Sequence, residues 1–151
     1  MAASVAREVQ GIELALTSVN GGTFYNLGEI LSVTPPTRTM GTIDVTNHNT
    51  TDYFREFLPG MIDPGTITFT ANYVSSSSWA SDLITSVMAD RAKINWKTTL
   101  STGEAATSSQ NVWYGNGYIT NYQLLTANDQ AVQYSVSIKL TAKPTDSADT
   151  T

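Results

Sequence analysis

Apolar and polar residues alternate with a period of two along most of this chain, and that period predicts strands with one buried face. Residues 10–19 set Ile12, Leu14 and Leu16 against Glu13, Ala15 and Thr17. Asn20-Gly21-Gly22 then predicts a turn, because Asn and Gly tolerate positive φ. A second strand over 29–34 is stopped by Pro35-Pro36, which cannot donate to a ladder. Residues 40–46 place Ile43 and Val45 opposite Thr42, Asp44 and Thr46. The cleanest alternation covers 66–74: Ile67, Phe69, Ala71 and Tyr73 face one way, and Thr66, Thr68, Thr70 and Asn72 the other. Residues 92–100 repeat the pattern with Ile94, Trp96, Thr98 and Leu100. A strand region over 112–125 is interrupted at Gly115-Asn116-Gly117, by a tight hairpin or a bulge. Ala127-Asn128-Asp129-Gln130 turns the chain, and 133–140 closes the fold with Tyr134, Val136, Ile138 and Leu140 facing inward.

Two stretches break the period. Trp79, Leu83 and Val87 recur at helical spacing, with Ile84 and Met88 widening the stripe, so 79–89 is predicted helical. Ser75 to Ser78 supply N-cap residues, Asp82 sits in the first turn and Arg91 just past the end, both complementing the helix dipole. Residues 47–64 have no clean period. They carry Tyr53, Phe54, Phe57, Leu58, Met61 and Ile62 between a polar opening and the breakers Pro59-Gly60 and Pro64-Gly65. A loop of that length is usually functional, and six large apolar side chains must be covered somewhere. The expected organisation is an arm over 1–10, one β domain over 11–143, and a flexible tail over 144–151. The fold class is mainly β: a sandwich or partly closed barrel of about seven strands with one flanking helix.

Composition shifts this picture towards assembly. The chain has 151 residues, 40% hydrophobic and only 14% charged, which is globular but sparsely charged for a surface exposed to water. The net charge is −5, and the basic residues are scattered apart from Arg91, Lys93 and Lys97. Phosphate-neutralising binding to nucleic acid is therefore disfavoured, whereas passage of nucleic acid along a neutral or acidic wall is not. The absence of cysteine excludes disulfides and thiolate metal sites. Residues 1–10 do not read as a secretory signal, and no apolar run reaches the roughly 18 residues of a membrane-spanning helix, so cytoplasmic synthesis is expected.

Candidate chemistry is sparse. His48 has Asp44 and Asp52 four residues to either side, but that spacing gathers side chains only on a helix, and this segment reads as a loop. Serines are abundant, yet no nucleophile elbow accompanies them. Gly115-Asn116-Gly117 continues into a strand and so lacks the helix N-terminus that a phosphate loop needs. Trp79 and Trp96 fall on apolar faces and read as core, while Trp113 fits either core or a sugar-stacking platform. Neither a catalytic site, a metal site nor a cofactor is expected.

Several segments, taken in order, resemble the major tail tube proteins of siphophages. Ile43-Asp44-Val45-Thr46-Asn47, then Tyr53 to Gly65, is similar to that family's strand, long loop and Gly-x-x-Asp-x-Gly turn, which feeds a strand like 66–73. The closing 135–145 is similar to the family's last strand and its Gly-Lys-Pro-Thr ending, with Ala142 where Gly is usual. The resemblance implies the tail-tube fold, shared with tubes of contractile tails and type VI secretion, and hexameric rings stacked into a hollow tube. It also implies a virion protein assembled in the host cytoplasm, without membrane contact. The partners implied are copies of itself, tape-measure, tail-tip and tail-terminator proteins, and double-stranded DNA in transient, non-specific passage. On this reading Tyr53, Phe54, Arg55, Phe57, Leu58 and Met61 form an inter-subunit loop, and Thr42, Asp44, Thr46, Thr66, Thr68, Thr70 and Asn72 are candidates to face the lumen. The rival readings are a tube of a contractile or type VI-like system and, further off, an all-β carbohydrate-binding module.

Overall fold

The structure is a computed structural model that describes residues 11–18, 24–27, 29–49, 54–73, 79–101 and 110–149. The expected arm over 1–10, the Asn20-Gly21-Gly22 turn, Tyr53 and the capping serines 75–78 lie outside the described residues. The alternating segments form strands: β1 (Gly11–Ser18), β2 (Tyr25–Asn26), β3 (Ile30–Thr34), β4 (Thr39–Asp44), β5 (Phe57–Asp63), β6 (Thr66–Asn72), β7 (Ile94–Ser101), β8 (Gln110–Leu125), β9 (Gln133–Leu140) and β10 (Thr145–Asp149). One helix, α1 (Trp79–Ala89), separates β6 from β7.

Eight strands form one antiparallel sheet in the order β2-β1-β7-β8-β9-β6-β3, with β10 also on β8, while β4 and β5 pair as a separate hairpin. The period-two pattern translates directly into burial. Ile67, Phe69 and Ala71 of β6 and Tyr134, Val136, Ile138 and Leu140 of β9 are buried, and their polar neighbours are half-buried. Direct register pairs Ile67 with Ile138 and Phe69 with Val136, so the apolar rows run across strands. Leu14, Leu16, Ile94 and Trp96 extend the same core, and the sheet curls until β1 approaches β3 at the far end of the strand order. This is the expected mainly β, partly closed architecture.

The helix lays Ile84 and Val87 into the core and touches β8. It stops by geometry as well as by composition: Arg91 takes φ +53°, Ala92 N–H bonds the Val87 carbonyl and Arg91 N–H bonds that of Met88. These are the two bonds of a Schellman cap, with Arg where Gly is more usual.

Three expectations are corrected; two of them add β5 and β10, which with the short β2 make ten strands among the described residues where about seven were expected. The long loop 47–64 is half strand: 57–63 is β5. Its period was hidden because Gly60-Met61 form a bulge opposite Gly41, and a bulge switches which face each side chain takes. Gly115-Asn116-Gly117 interrupts nothing, since β8 runs straight through. A Cβ at Gly115 would press on the Trp96 indole, and a side chain at Gly117 would collide with the Lys139 backbone. The irregularity falls further on, at Thr120, whose hydroxyl donates to the Ser137 carbonyl. Finally, the tail expected to be flexible from residue 144 supplies β10. Strand β9 covers one edge of β8 only from residue 117 onward, and β10 takes up the same edge over 110–114. Thr141 bridges the gap by donating to the Asn116 carbonyl from its N–H (3.2 Å) and to Asn116 Oδ1 from its hydroxyl (2.7 Å).

Candidate functional site

Among the described residues the hairpin of β4 and β5 makes no extensive contact with any other element, and every position of its two strands apart from Gly60 is exposed. That is unusual for its composition. Met40, Ile43, Val45, Phe54, Phe57, Leu58, Met61 and Ile62 are all exposed, with Phe54 at 76% and Met61 at 94%. Ile43 pairs with Leu58 on one face, while Phe57 pairs with Asp44 on the other, so apolar surface appears on both sides. Soluble monomers seldom present such a contiguous apolar feature, and it marks an interaction surface.

Both ends of the hairpin are held in place by hydrogen bonds. Towards the tip, Val45 N–H donates to the Glu56 carbonyl (2.9 Å), and Glu56 N–H donates to the Thr46 hydroxyl (3.0 Å). The Thr46 hydroxyl in turn donates to Asp44, as does the Thr46 N–H, which holds the Asp44 carboxyl below its ordinary pKa. At the root, Lys139 Nζ donates to both oxygens of Asp63 (2.7 and 2.8 Å), and Gly65 N–H donates to one of them (2.8 Å). The Lys139 hydrogen bond first, and the Gly65 N–H second, lower the Asp63 pKa. Gly65 has φ +92°, its carbonyl accepts from Leu140 N–H, and any side chain there would run into the Thr37 backbone. The Gly-x-x-Asp-x-Gly turn is thus a joint that fixes the hairpin to β9.

A second feature is the outer face of the sheet. Thr66, Thr68, Thr70 and Asn72 stand opposite Lys139, Ser137, Ser135 and Gln133, respectively. Thr34 and Ser32 continue the rows on one side, and Asn121 and Gln123 on the other. The Thr68 and Ser137 hydroxyls are 3.1 Å apart. These rows hold hydroxyls and amides, and their one charge, Lys139, is engaged by Asp63. Four of the seven lumen candidates therefore share one face. Thr42, Asp44 and Thr46 sit apart from them, on the hairpin.

Of the six loop candidates, Phe54, Arg55, Phe57, Leu58 and Met61 are exposed on the hairpin or its tip, and Tyr53 lies outside the described residues. Sequence reasoning missed Met40, Ile43 and Val45, and counted Ile62 among the loop's apolar residues without giving it to the inter-subunit set; all four belong to the same exposed surface. Alternation alone assigned Ile43 and Val45 to a buried face. The signal that could have found them was the neighbouring apolar loop, their pairing partner. Trp113 packs against the core, which answers its ambiguity, and His48 lies exposed in the turn after β4.

Residues 8–148 match the family described as phage tail tube, TTP, lambda-like. The chain belongs to this tail tube family. Solved structures carry the same fold at low identity. The SPP1 tail tube is 12% identical with a TM-score of 0.69, over 95% of this chain and 80% of that one. A chain of the PVC extracellular contractile injection system, in the sheath-tube complex in its extended state, is 14% identical with a TM-score of 0.73, over 95% and 93%. The tail of a gene transfer agent particle is 13% identical with a TM-score of 0.69, over 95% and 100%. No curated protein matches this tail tube sequence. The family is one of structural tail proteins of virions.

Proposed function

We propose that this chain is the major tube subunit of a long, non-contractile phage tail, built of stacked hexameric rings whose bore conducts viral DNA. The observation that carries the reading is the exposed apolar hairpin on a chain of the tail tube family: eight large apolar residues that its own fold leaves uncovered. Their cover is a neighbouring copy. Phe54, Arg55, Phe57, Leu58 and Met61, with Tyr53, form the inter-subunit contact. The six-fold count is supported by the similar gene transfer agent tail, which has C6 symmetry. Tape-measure, tail-tip and tail-terminator proteins are the partners at its ends.

The outer face around Thr66, Thr68, Thr70 and Asn72 lines the bore, continued on the hairpin by Thr42, Asp44 and Thr46. A wall of hydroxyls and amides hydrates a passing phosphate backbone without gripping it, because no array of free cations is there to exchange for counterions. Assembly takes place in the host cytoplasm, and the finished protein resides in the virion.

Negative-stain electron microscopy over a concentration series tests the proposal. Hollow tubes or stacked rings are expected from the purified protein, and loss of both in Phe54→Ala. A protein that stays monomeric throughout, also with a preformed tail tip added, would overturn it. The likeness to a chain of the PVC sheath-tube complex favours one second reading, the tube of a contractile system, for which a neighbouring sheath gene would be the sign.

A further inference from the structure

All four lysines of the chain, Lys93, Lys97, Lys139 and Lys143, gather on one part of the outer sheet face. Lys97 stands opposite Tyr114, and Tyr118 stands opposite Lys139. Between these rows Asn95 pairs with Asn116. Lys93 precedes β7; its neighbours Ala92 and Ile94 pack into the core, so alternation turns it to the same side as Lys97. Lys143 closes the group, lining an open hollow of about 410 Å³ with Phe24, Asn95, Tyr114, Asn116 and Thr145. Among the described residues only Lys139 of the four has an ion-pair partner, Asp63, although Glu13 of β1 stands diagonal to Lys97. Like charges gathered on one face repel, and exposed rings of Phe24, Tyr114 and Tyr118 stand among them. The face therefore suits a partner that is both anionic and apolar.

We propose that this lysine–tyrosine face receives the β4–β5 hairpin of a second copy, an inference that rests on assembly through the hairpin as proposed above. Charge selects the copy. With every lysine on this face, the rest of the chain sets four arginines against 13 carboxylates, so a second copy is drawn here and repelled elsewhere. A DNA duplex offers the lysines its phosphates but gives the exposed rings nothing, because its bases are stacked inside. Within the copy, the hairpin carries both chemistries. Residues 39–63 contain no lysine and four carboxylates, Asp44, Asp52, Glu56 and Asp63, against one arginine, Arg55. Asp63 is held by its own Lys139, whereas Asp44 and Glu56 are exposed and have no cationic partner among the described residues. Exposed Phe54, Phe57 and Leu58 lie beside them. The other exposed apolar stretch, at Leu124, Leu125 and Val132, has a single carboxylate nearby in sequence, Asp129.

Face and hairpin are different surfaces of one copy, so the contact is heterologous. Each copy gives one hairpin and receives one, and such a series either closes into a ring or propagates along a tube.

Two double variants test the assignment. One reverses the face, Lys97→Glu with Lys143→Glu. The other reverses the hairpin, Asp44→Asn with Glu56→Lys, and keeps an acceptor for Thr46. Each should melt like the wild type, and neither alone should form tubes even at roughly ten times the concentration the wild type needs. Mixed in equal amounts they should polymerise together, since every junction between unlike copies is then matched. A mixture that stays unassembled, with both variants folded and wild-type tubes formed, would overturn the face assignment and leave the proposed function standing. Wild-type protein that forms no tubes would overturn both. A face variant that polymerises like the wild type would also overturn the assignment, and loss of duplex DNA retention by that variant in a gel shift would reassign the lysines to nucleic acid. Salt reads the same contact without substitution: more wild-type protein should be needed for assembly as ionic strength rises, and an unchanged or lower requirement would count against the contact.

Discussion

Strands β6 and β5 are adjacent in sequence, seven residues each, and both rich in large apolar side chains, yet they meet opposite fates. In β6, Ile67, Phe69 and Ala71 are buried against β9 and the rest of the core. In β5, Phe57, Leu58, Met61 and Ile62 are exposed. The difference lies in what stands opposite. β6 sits between β9 and β3 in a curled sheet that supplies a second wall, whereas among the described residues β5 has only β4 beside it. Local pattern says that a side chain wants cover, but only topology says whether the same copy can provide it.

The comparison breaks most sharply in the core. Phe69→Ala should destabilise the monomer by about 3–5 kcal/mol, since it empties a fully enclosed site between Val33 and Val136. Thermal unfolding under non-assembling conditions checks this. A loss below about 1 kcal/mol would mean that β6 is not the buried wall described.

Alkali should separate the same two regions. Burial, with Tyr122 nearby, raises the Tyr134 pKa from 10.0 to about 12. An acid whose folded pKa is raised stabilises the fold fully below its unfolded value. That contribution, roughly 2–3 kcal/mol, fades as pH climbs from about 10 through about 12. Tyr134→Phe should flatten the stability profile across that window. An unchanged slope would place the alkaline sensitivity elsewhere.

The hairpin should show the converse behaviour. Phe57→Ala is expected to leave monomer stability within about 0.5 kcal/mol, as for other exposed positions. If the ring is fully covered in the tube, the same change removes roughly 1.5–3 kcal/mol per contact, partly offset by docking costs. Sedimentation and melting curves of one preparation read both numbers. A variant that unfolds the monomer would return this residue to the core.

How far these regions were legible follows from the same physics. The strands at 66–72, 94–101 and 133–140 could be read because a sheet with one dry face forces strict alternation on them. The helix was legible from Leu83, Ile84 and Val87. Strand β5 was not, because a proline and a two-residue bulge erase the period that would reveal it. Nor was β10: its residues, Thr145 to Asp149, are small and polar, and what makes them a strand is the free edge of β8, a long-range fact. The outer-face residues of β6 were readable as one face, but their companions on β3, β8 and β9 required the register. The joint at Asp63 was visible as a turn motif, while its partner Lys139 lies 76 positions away in sequence.

That joint gives the smallest effect and the finest test of the contrast. Asp63 and Lys139 are both about half exposed, so their pairing adds little to global stability, as is usual for surface ion pairs. Its role is to fix the angle at which the hairpin leaves the sheet. Asp63→Asn can still accept the Gly65 N–H but loses the Lys139 ion pair. Amide exchange at Gly65 and Leu140 should therefore quicken while the melting temperature stays unchanged. The pH dependence has a definite sign. The folded-state pKa of Asp63 is lowered, so the restraint is complete above the ordinary carboxylate value and is lost as pH falls through the depressed one. Acid should loosen the hairpin root of the wild type before it touches the core, and should do no such thing in Asp63→Asn, whose root is already loose. If both proteins exchange alike at every pH, the angle is set by Gly65 and the flanking prolines alone.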